Sequence, residues 1–263
     1  MNMKQVQDQT GKLISVPSAP LRIVSLVPSI TELLADLGLH QEVVGITKFC
    51  VHPEKWFRSK TRIGGTKTIS IEKVNALQPD LIFANKEENV KEQVEALAQQ
   101  WNVYTSDIST IDDAYQMITD VGVLTGTSAA AHEMIQTIQE GCNGLSFQKN
   151  LTVLYLIWQD PYMSIGGDTF ISNMLSAAGF SNVLQAKSRY PEVTVEEIQA
   201  LQPDVIFLSS EPYPFKQKHV EALQKIAGKS QILLVDGEIF SWYGSKMLKA
   251  PAYFRYLRQQ LRL

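Results

Sequence analysis

Residues 70–83 read SIEKVNALQPDLIF, and residues 194–207 read TVEEIQALQPDVIF. Eight of the fourteen positions are identical: Glu72/Glu196, Ala76/Ala200, Leu77/Leu201, Gln78/Gln202, Pro79/Pro203, Asp80/Asp204, Ile82/Ile206 and Phe83/Phe207. Most of the rest exchange one apolar or β-branched residue for another. In the first copy Ser70 is placed to cap a helix on which Ile71, Val74 and Leu77 recur at helical spacing. Pro79 ends that helix, because the residue before a proline is pushed out of the α region. A short apolar run then reads as a strand. The same helix and strand half a chain later predict two related lobes with a ligand cleft between them.

Outward from the repeat, the alternation continues. Strands are expected at 22–27, 43–47, 81–85, 103–107, 152–158, 205–209 and 232–235. Between them fall helices ending at Gly38, over 88–100, 111–124, 169–179, 195–201, 216–227 and 251–262. Ser29 or Thr31 is expected to cap the first of these. The lead-in through Pro17 and Pro20 reads as a hairpin or extended segment, and 48–69 reads as a loop. A helix without proline, from Thr127 or Ser128 to about Gly144, joins the halves as a stiff rod. The predicted domains are an N-terminal lobe over 1–125, a connecting helix over 126–148 and a C-terminal lobe over 149–263. Alternating strands and helices imply an α/β fold with mainly parallel, Rossmann-like sheets, which bind ligands beyond the carboxyl ends of their strands.

Composition narrows the function. The 263 residues are 44% apolar and 19% charged, as in a soluble globular protein, and no apolar run approaches the ~20 residues of a bilayer span. A net charge of −3 leaves no basic footprint for nucleic acid. The start, MNMKQVQDQTGKLISVP, has no apolar leader core, so either a leader has been removed or the protein stays in the cytosol. Cys50 and Cys142 read as free thiols rather than a disulfide, and neither lies in a CxxC pattern.

Catalytic patterns are weak. His40, His52, His132 and His219 are scattered, none at i, i+4 from another, which argues against zinc. IGGT (63–66) and IGGDTF (165–170) match no phosphate loop and read as tight turns, and no GxSxG elbow supports a serine nucleophile. These patterns argue against an enzyme, and no catalytic residue or metal site is expected.

Two constellations remain. Glu72 and Glu196 sit two residues past Ser70 and Thr194. They read either as acids favoured by a helix dipole, by roughly 0.3–1 kcal/mol, or as a matched pair, one per lobe, docking a symmetric basic partner. Phe49, Trp56, Tyr190, Trp242 and Tyr243 fall largely in loops expected after strands, and read either as core or as ligand contacts. In FSWYGS (240–245), two adjacent large rings cannot both face one core, so at least one lines a surface or cleft.

RIVSLVPSITELLADLG, the following VVGIT, the IGGT…SIEKVNALQPDLIFANKEEN block and the second EEIQALQPDVIF resemble the periplasmic-type substrate-binding proteins for cobalamin and ferric siderophores. The resemblance runs from about Gln9 to Leu261. It implies two Rossmann-like lobes joined by one long helix that limits hinge motion, with a shallow ligand cleft between them. It implies that Glu72 and Glu196 dock arginines of the membrane subunits of an ABC importer.

Among the branches of this family, the chain most resembles the cobalamin binders. Their cleft aromatic six residues before the second docking glutamate falls on Tyr190, and the aromatic after the second strand falls on Phe49. Thr66 stands where a first-lobe tryptophan is expected, and Asn85 where a further aromatic is, which leaves ferric siderophore or haem open. The expected ligand is thus a metal chelate taken up already chelated, most readily a corrinoid. Phe49, Tyr190, Trp242 and Tyr243 would supply flat apolar contact, and Ser29, Thr66, Lys67 and Ser245 polar contact.

The expected protein is a monomeric importer receptor, periplasmic or at the membrane surface once a leader is removed. The rivals are a cytosolic corrinoid-handling protein of the same fold and a chelatase-like enzyme, for which His52 would be the acid–base or metal-ligating group.

Overall fold

A computed structural model describes residues 3–18, 22–147 and 150–261. It divides into two compact units. The first gathers residues up to Ile108, with Asp112–Thr137 and Tyr243–Lys246; the second gathers Ser109–Ile111, Ile138–Trp242 and the residues from Met247 on.

The first unit opens on an antiparallel hairpin of β1 (Met3–Gln7) and β2 (Leu13–Pro17). Pro20 of the expected lead-in lies outside the described residues. Asp8 builds the turn: Oδ1 accepts the N–H groups of Thr10 at 3.0 Å and Lys12 at 2.8 Å, and Oδ2 accepts that of Thr105 at 3.1 Å. There follow β3 (Ile23–Ser25), α1 (Pro28–Asp36), β4 (Val43–Ile46), α2 (Glu54–Ser59), β5 (Thr61–Arg62), α3 (Ile71–Leu77), β6 (Leu81–Asn85), α4 (Lys91–Ala98) and β7 (Asn102–Ser106). Two helices end this half, α5 (Ile111–Thr125) and α6 (Ser128–Asn143). The five strands pair in parallel in the order β5-β4-β3-β6-β7. Every residue of β6 is buried, as expected of a strand covered on both faces.

The second unit repeats the scheme with β8 (Leu151–Leu156), α7 (Phe170–Ala177), β9 (Phe180–Asn182), α8 (Val195–Leu201), β10 (Val205–Ser209), α9 (Gln217–Gln224), β11 (Gln231–Val235), α10 (Gly237–Ser241) and α11 (Ala250–Gln260). Its four strands are parallel in the order β11-β10-β8-β9. The α/β class with parallel sheets in two groups is therefore as expected.

The repeat has a physical meaning. Its aspartate ties the start of the strand in each copy to the strand beside it. Asp80 Oδ2 accepts the Arg22 N–H at 2.7 Å just before β3, and Asp204 Oδ2 accepts the Thr152 N–H at 2.8 Å in β8. Its glutamine turns the chain, with Gln78 and Gln202 in the left-handed region at φ 46° and 42°. This reversal replaces the usual helix-ending glycine.

Several local expectations need correction. Neither Ser29 nor Thr31 caps α1. The helix starts at Pro28, whose fixed φ suits the first helical position and whose missing N–H needs no cap. The Thr31 hydroxyl instead lies 2.8 Å from both Ser25 Oγ and the Val27 carbonyl. The stretch 48–69 is not all loop, since it holds α2 and β5, and β9, α10 and a 3-10 turn at Ser245–Lys249 were not foreseen. The expected strand 152–158 stops at Leu156, and Gly38, at φ 82°, follows α1 as expected.

Candidate functional site

Strand order locates a site in each unit. In the first sheet the chain starts centrally at β3, runs outward through β4 and β5, then crosses to β6 and β7. The switch point lies between β3 and β6, where the loops leave in opposite directions and open a crevice at the carboxyl ends. In the second sheet the same reasoning places it between β8 and β10.

Asn85 and Asn89 build the first rim. Asn85, the last residue of β6, accepts the N–H groups of Glu87 at 2.9 Å and Glu88 at 3.0 Å on its side-chain Oδ1. Its amide reaches Ser106 Oγ at 3.1 Å. Asn89 donates to the carbonyls of Leu26 at 3.3 Å and Thr66 at 3.0 Å, and accepts the Asn85 N–H at 2.9 Å. Both side chains are buried. Asn85 therefore builds the turn after β6, which a ring at that position could not do.

On this rim the residues singled out from the sequence divide. Phe49, beyond β4, is 52% exposed, with the Lys48 ammonium 5.1 Å from its ring centre. Gly65 packs beneath it, where a Cβ would lie 3.2 Å from Phe49 Cε2. Lys67 is exposed and its ammonium reaches the Glu87 carbonyl. Thr66 and Ser29 are buried. Gly64 cannot be replaced without moving backbone: its φ is 112° and a Cβ would meet the Thr68 carbonyl at 2.3 Å. Trp56 is core, edge-on to His40 at 5.7 Å.

Tyr243 and Ser245 stand apart from this rim, on the return segment 243–246 beside α1. Both are buried, and a Cβ on Gly244 would lie 3.3 Å from Leu33 Cβ. Lys246 Nζ meets Glu32 Oε2 at 3.1 Å there, with both side chains largely buried. Tyr243 therefore offers little exposed ring.

The second rim carries the aromatic surface. Segment 187–193 runs antiparallel to 162–167, tied by Ser164 N–H to the Pro191 carbonyl at 2.9 Å, Gly166 N–H to Arg189 at 2.7 Å and Val193 N–H to Tyr162 at 2.9 Å. Gly166 is needed for this approach, since a Cβ would lie 2.4 Å from the Lys187 carbonyl. The pairing presents Tyr190, 38% exposed, under the Arg189 guanidinium at 5.4 Å. Arg189 is itself fixed by its N–H to Asp168 Oδ1 at 2.6 Å.

Two residues past β8, Trp158 is 39% exposed and lies edge-on to Tyr213 at 5.5 Å. Tyr213 in turn packs on Phe215 at 4.8 Å. Trp158 escaped the sequence reading because it was counted as the end of a strand. The turn signal Gln159-Asp160-Pro161 was available to place it on the rim. Trp242 is half-buried at the end of α10, with its N–H on the Glu238 carbonyl at 2.9 Å. So the structure brings Trp158 together with Tyr213, Tyr190 with Arg189, and Phe49 with Lys48.

The two glutamates hold equivalent exposed places at the second position of α3 and α8. In α8 the capping box is made by the next residue: Thr194 N–H meets Glu197 Oε2 at 2.8 Å and Glu197 N–H meets Thr194 Oγ1 at 3.2 Å. Hydrogen bonds from its own N–H and from the Thr194 hydroxyl hold the Glu196 carboxyl below its ordinary range. In α3 Lys73 occupies the box position, and Ser70 caps alone at 3.4 Å.

Among the described residues, no group of three or more His, Cys, Asp or Glu side chains converges to hold a metal ion, and no helix is long and apolar enough to cross a membrane. His52 is exposed beyond Val51. Cys50 and Cys142 are free thiols.

Two parallel α/β units, each with a crevice at its switch point, form a frame suited to holding a ligand. The chain belongs to the periplasmic binding protein family, whose profile matches residues 23–232. That family consists of binding proteins for transport, not enzymes. The chain is similar to an uncharacterised ABC transporter substrate-binding lipoprotein of Bacillus subtilis, 27% identical over 214 residues, 76% of this chain and 67% of the relative. It is equally similar to the vitamin B12-binding protein of Vibrio cholerae, 27% identical over 209 residues, 76% and 74% of the two chains. In fold it matches the periplasmic haem-binding protein of Vibrio cholerae with a TM-score of 0.77 at 20% identity, over 92% of this chain and 99% of the other.

Proposed function

We propose that this protein is the receptor of an ABC importer for a flat metal chelate, with a corrinoid as the leading ligand. The observation that carries the reading is the exposed aromatic set at the carboxyl rims, Phe49 in the first unit and Trp158 with Tyr190 in the second. Exposed rings braced by backbone pairing and by other aromatics suit a planar macrocycle, which buries wide apolar faces and needs few polar contacts. The similarity to a vitamin B12-binding protein points to the same ligand class, and the likeness in fold to a haem-binding protein makes haem the second candidate. Lys48 and Arg189 add positive charge beside the rings of Phe49 and Tyr190, suited to a propionate, phosphate or amide edge. The metal belongs to the cargo, and no cofactor of the protein's own enters the reading.

Glu72 and Glu196 are proposed to dock the importer's membrane subunits. What supports this is their duplication without a duplicated local role. Within the repeat, the shared aspartate and glutamine serve the fold of each unit, while the capping box is made by Glu197 and has no counterpart at Lys73. Such a receptor works outside the inner membrane, in a periplasm or as a surface lipoprotein.

Replacing Tyr190 and Trp158 together with alanine tests the site. Each lost ring contact in a desolvated site removes on the order of 1–2 kcal/mol, so cyanocobalamin affinity in calorimetry should fall by well over tenfold. Unchanged affinity would refute the assigned surface.

A further inference from the structure

Beside α8, and backed by the same segment 187–193 that presents Tyr190, the second unit holds an open apolar pocket of about 260 Å³ walled by Leu184, Val193, Ala200 and Leu201. For scale, an engineered cavity of roughly 150 Å³ takes up benzene. Three further lining residues are charged and exposed, Lys187, Glu192 and Glu197. Glu196 joins them by helix geometry. It is four residues before Ala200, so the two lie on one face of α8, about 5–6 Å apart at Cβ. Two carboxylates and one ammonium thus line the apolar hole, with Glu196 one helical turn before Ala200.

In the other copy of the repeat the matching Leu77 packs on β4, where a Cβ on Gly45 would lie 2.6 Å from its Cδ1.

We propose that this pocket receives one large apolar side chain of a basic peptide segment of the membrane partner. Glu196 and Glu192 would hold the flanking cations. The inference rests on the reading of Glu196 as a docking residue and adds the part that area burial contributes. Charge complementarity selects the occupant: a neutral apolar ligand would leave the acidic flank unused, and a polar basic peptide would leave the hole unfilled.

The test uses the full chain, 15N-labelled, titrated with acetyl-Arg-Leu-Arg-amide and acetyl-Arg-Ser-Arg-amide. The leucine peptide should bind at least about fivefold more tightly, shifting the amides of Leu184, Val193, Ala200 and Leu201. Ala200→Trp, on an exposed helix position, should fill the pocket and erase that preference. Equal affinity for the two peptides in the unsubstituted chain, or no shift at those amides, overturns the proposal. So do shifts there that grow with protein concentration in the absence of peptide, which would assign the pocket to a second copy. Glu196→Gln separates this claim from the one beneath it. Weakening of both peptides with the leucine preference retained supports both; a retained preference with no weakening supports the pocket and refutes the docking role of Glu196.

Discussion

Asn89 holds Thr66 in place: its side-chain amide donates to the Thr66 carbonyl at 3.0 Å, and the same amide reaches the Leu26 carbonyl at 3.3 Å. One buried side chain thereby ties the ends of β3 and β6 to the loop after β5. The first rim is a set of loops, and loops hold a shape only where their backbone groups are satisfied.

Asn89→Ala should therefore destabilise the protein by about 2–4 kcal/mol, because it leaves buried backbone groups without partners. Denaturant unfolding measures the loss. Hydrogen exchange should show faster exchange at Gly65–Ile69 than elsewhere in the unit. Uniform exchange with intact stability would show that the loop holds itself.

The two neighbouring glutamates of α8 should behave oppositely. Glu197→Ala breaks the capping box and should lower stability by about 1 kcal/mol. Glu196→Ala should cost clearly less, because its carboxyl is exposed and takes no part in the capping box. Chemical unfolding of the two variants decides it, and an equal cost would mean that Glu196 is a structural acid.

Asp120 predicts a pH dependence. Burial pushes its carboxyl above the ordinary range and the charge of Asp8 adds to this, while the Tyr104 hydroxyl and the Gln116 amide, each at 2.8 Å, oppose it. The folded state then binds this proton more tightly than the unfolded state does. The group's contribution to stability therefore falls as pH rises from the ordinary carboxylate value, about 4, through the raised folded value. Stability measured relative to Asp120→Asn should decline over that window and level off above it. A flat difference would contradict the burial argument.

Thiol labelling should be ordered. Cys50 is fully buried beside Thr31 and Thr47, both at 3.1 Å, and burial pushes its thiol up. Cys142 is raised for the same reason but is only half-buried. In the native protein iodoacetamide should modify Cys142 first, by at least tenfold in rate by mass spectrometry. Prior labelling of Cys50 would mean that the loop after β4 opens readily.

How far the sequence foretold this structure depended on what fixed each segment. β6, α8 and β10 match their expected bounds, because an apolar run and a hydroxyl cap at the same spacing occur twice. The six-residue α2 was missed because its pattern, EKWFRS, buries only Trp56. α10 escaped because the eye rests on FSWYGS, while its start is fixed by the Asp236 side chain accepting the Glu238 N–H at 3.0 Å. Tyr190 and Phe49 stand exposed on the rims, whereas Tyr243 turns into the first unit beside Leu33. Two adjacent rings leaving in different directions is a matter of chain path, which periodicity does not encode.

The most direct measurement is calorimetric titration of the intact protein with cyanocobalamin, run beside haemin and a ferric hydroxamate. The reading predicts saturable one-to-one binding of cyanocobalamin, with weaker or no heat from the iron chelates. Saturation by haemin alone would transfer the site to the second ligand and keep the receptor. No binding of any of the three would contradict the claim that the exposed rings of Trp158 and Tyr190 on the second unit belong to a chelate site.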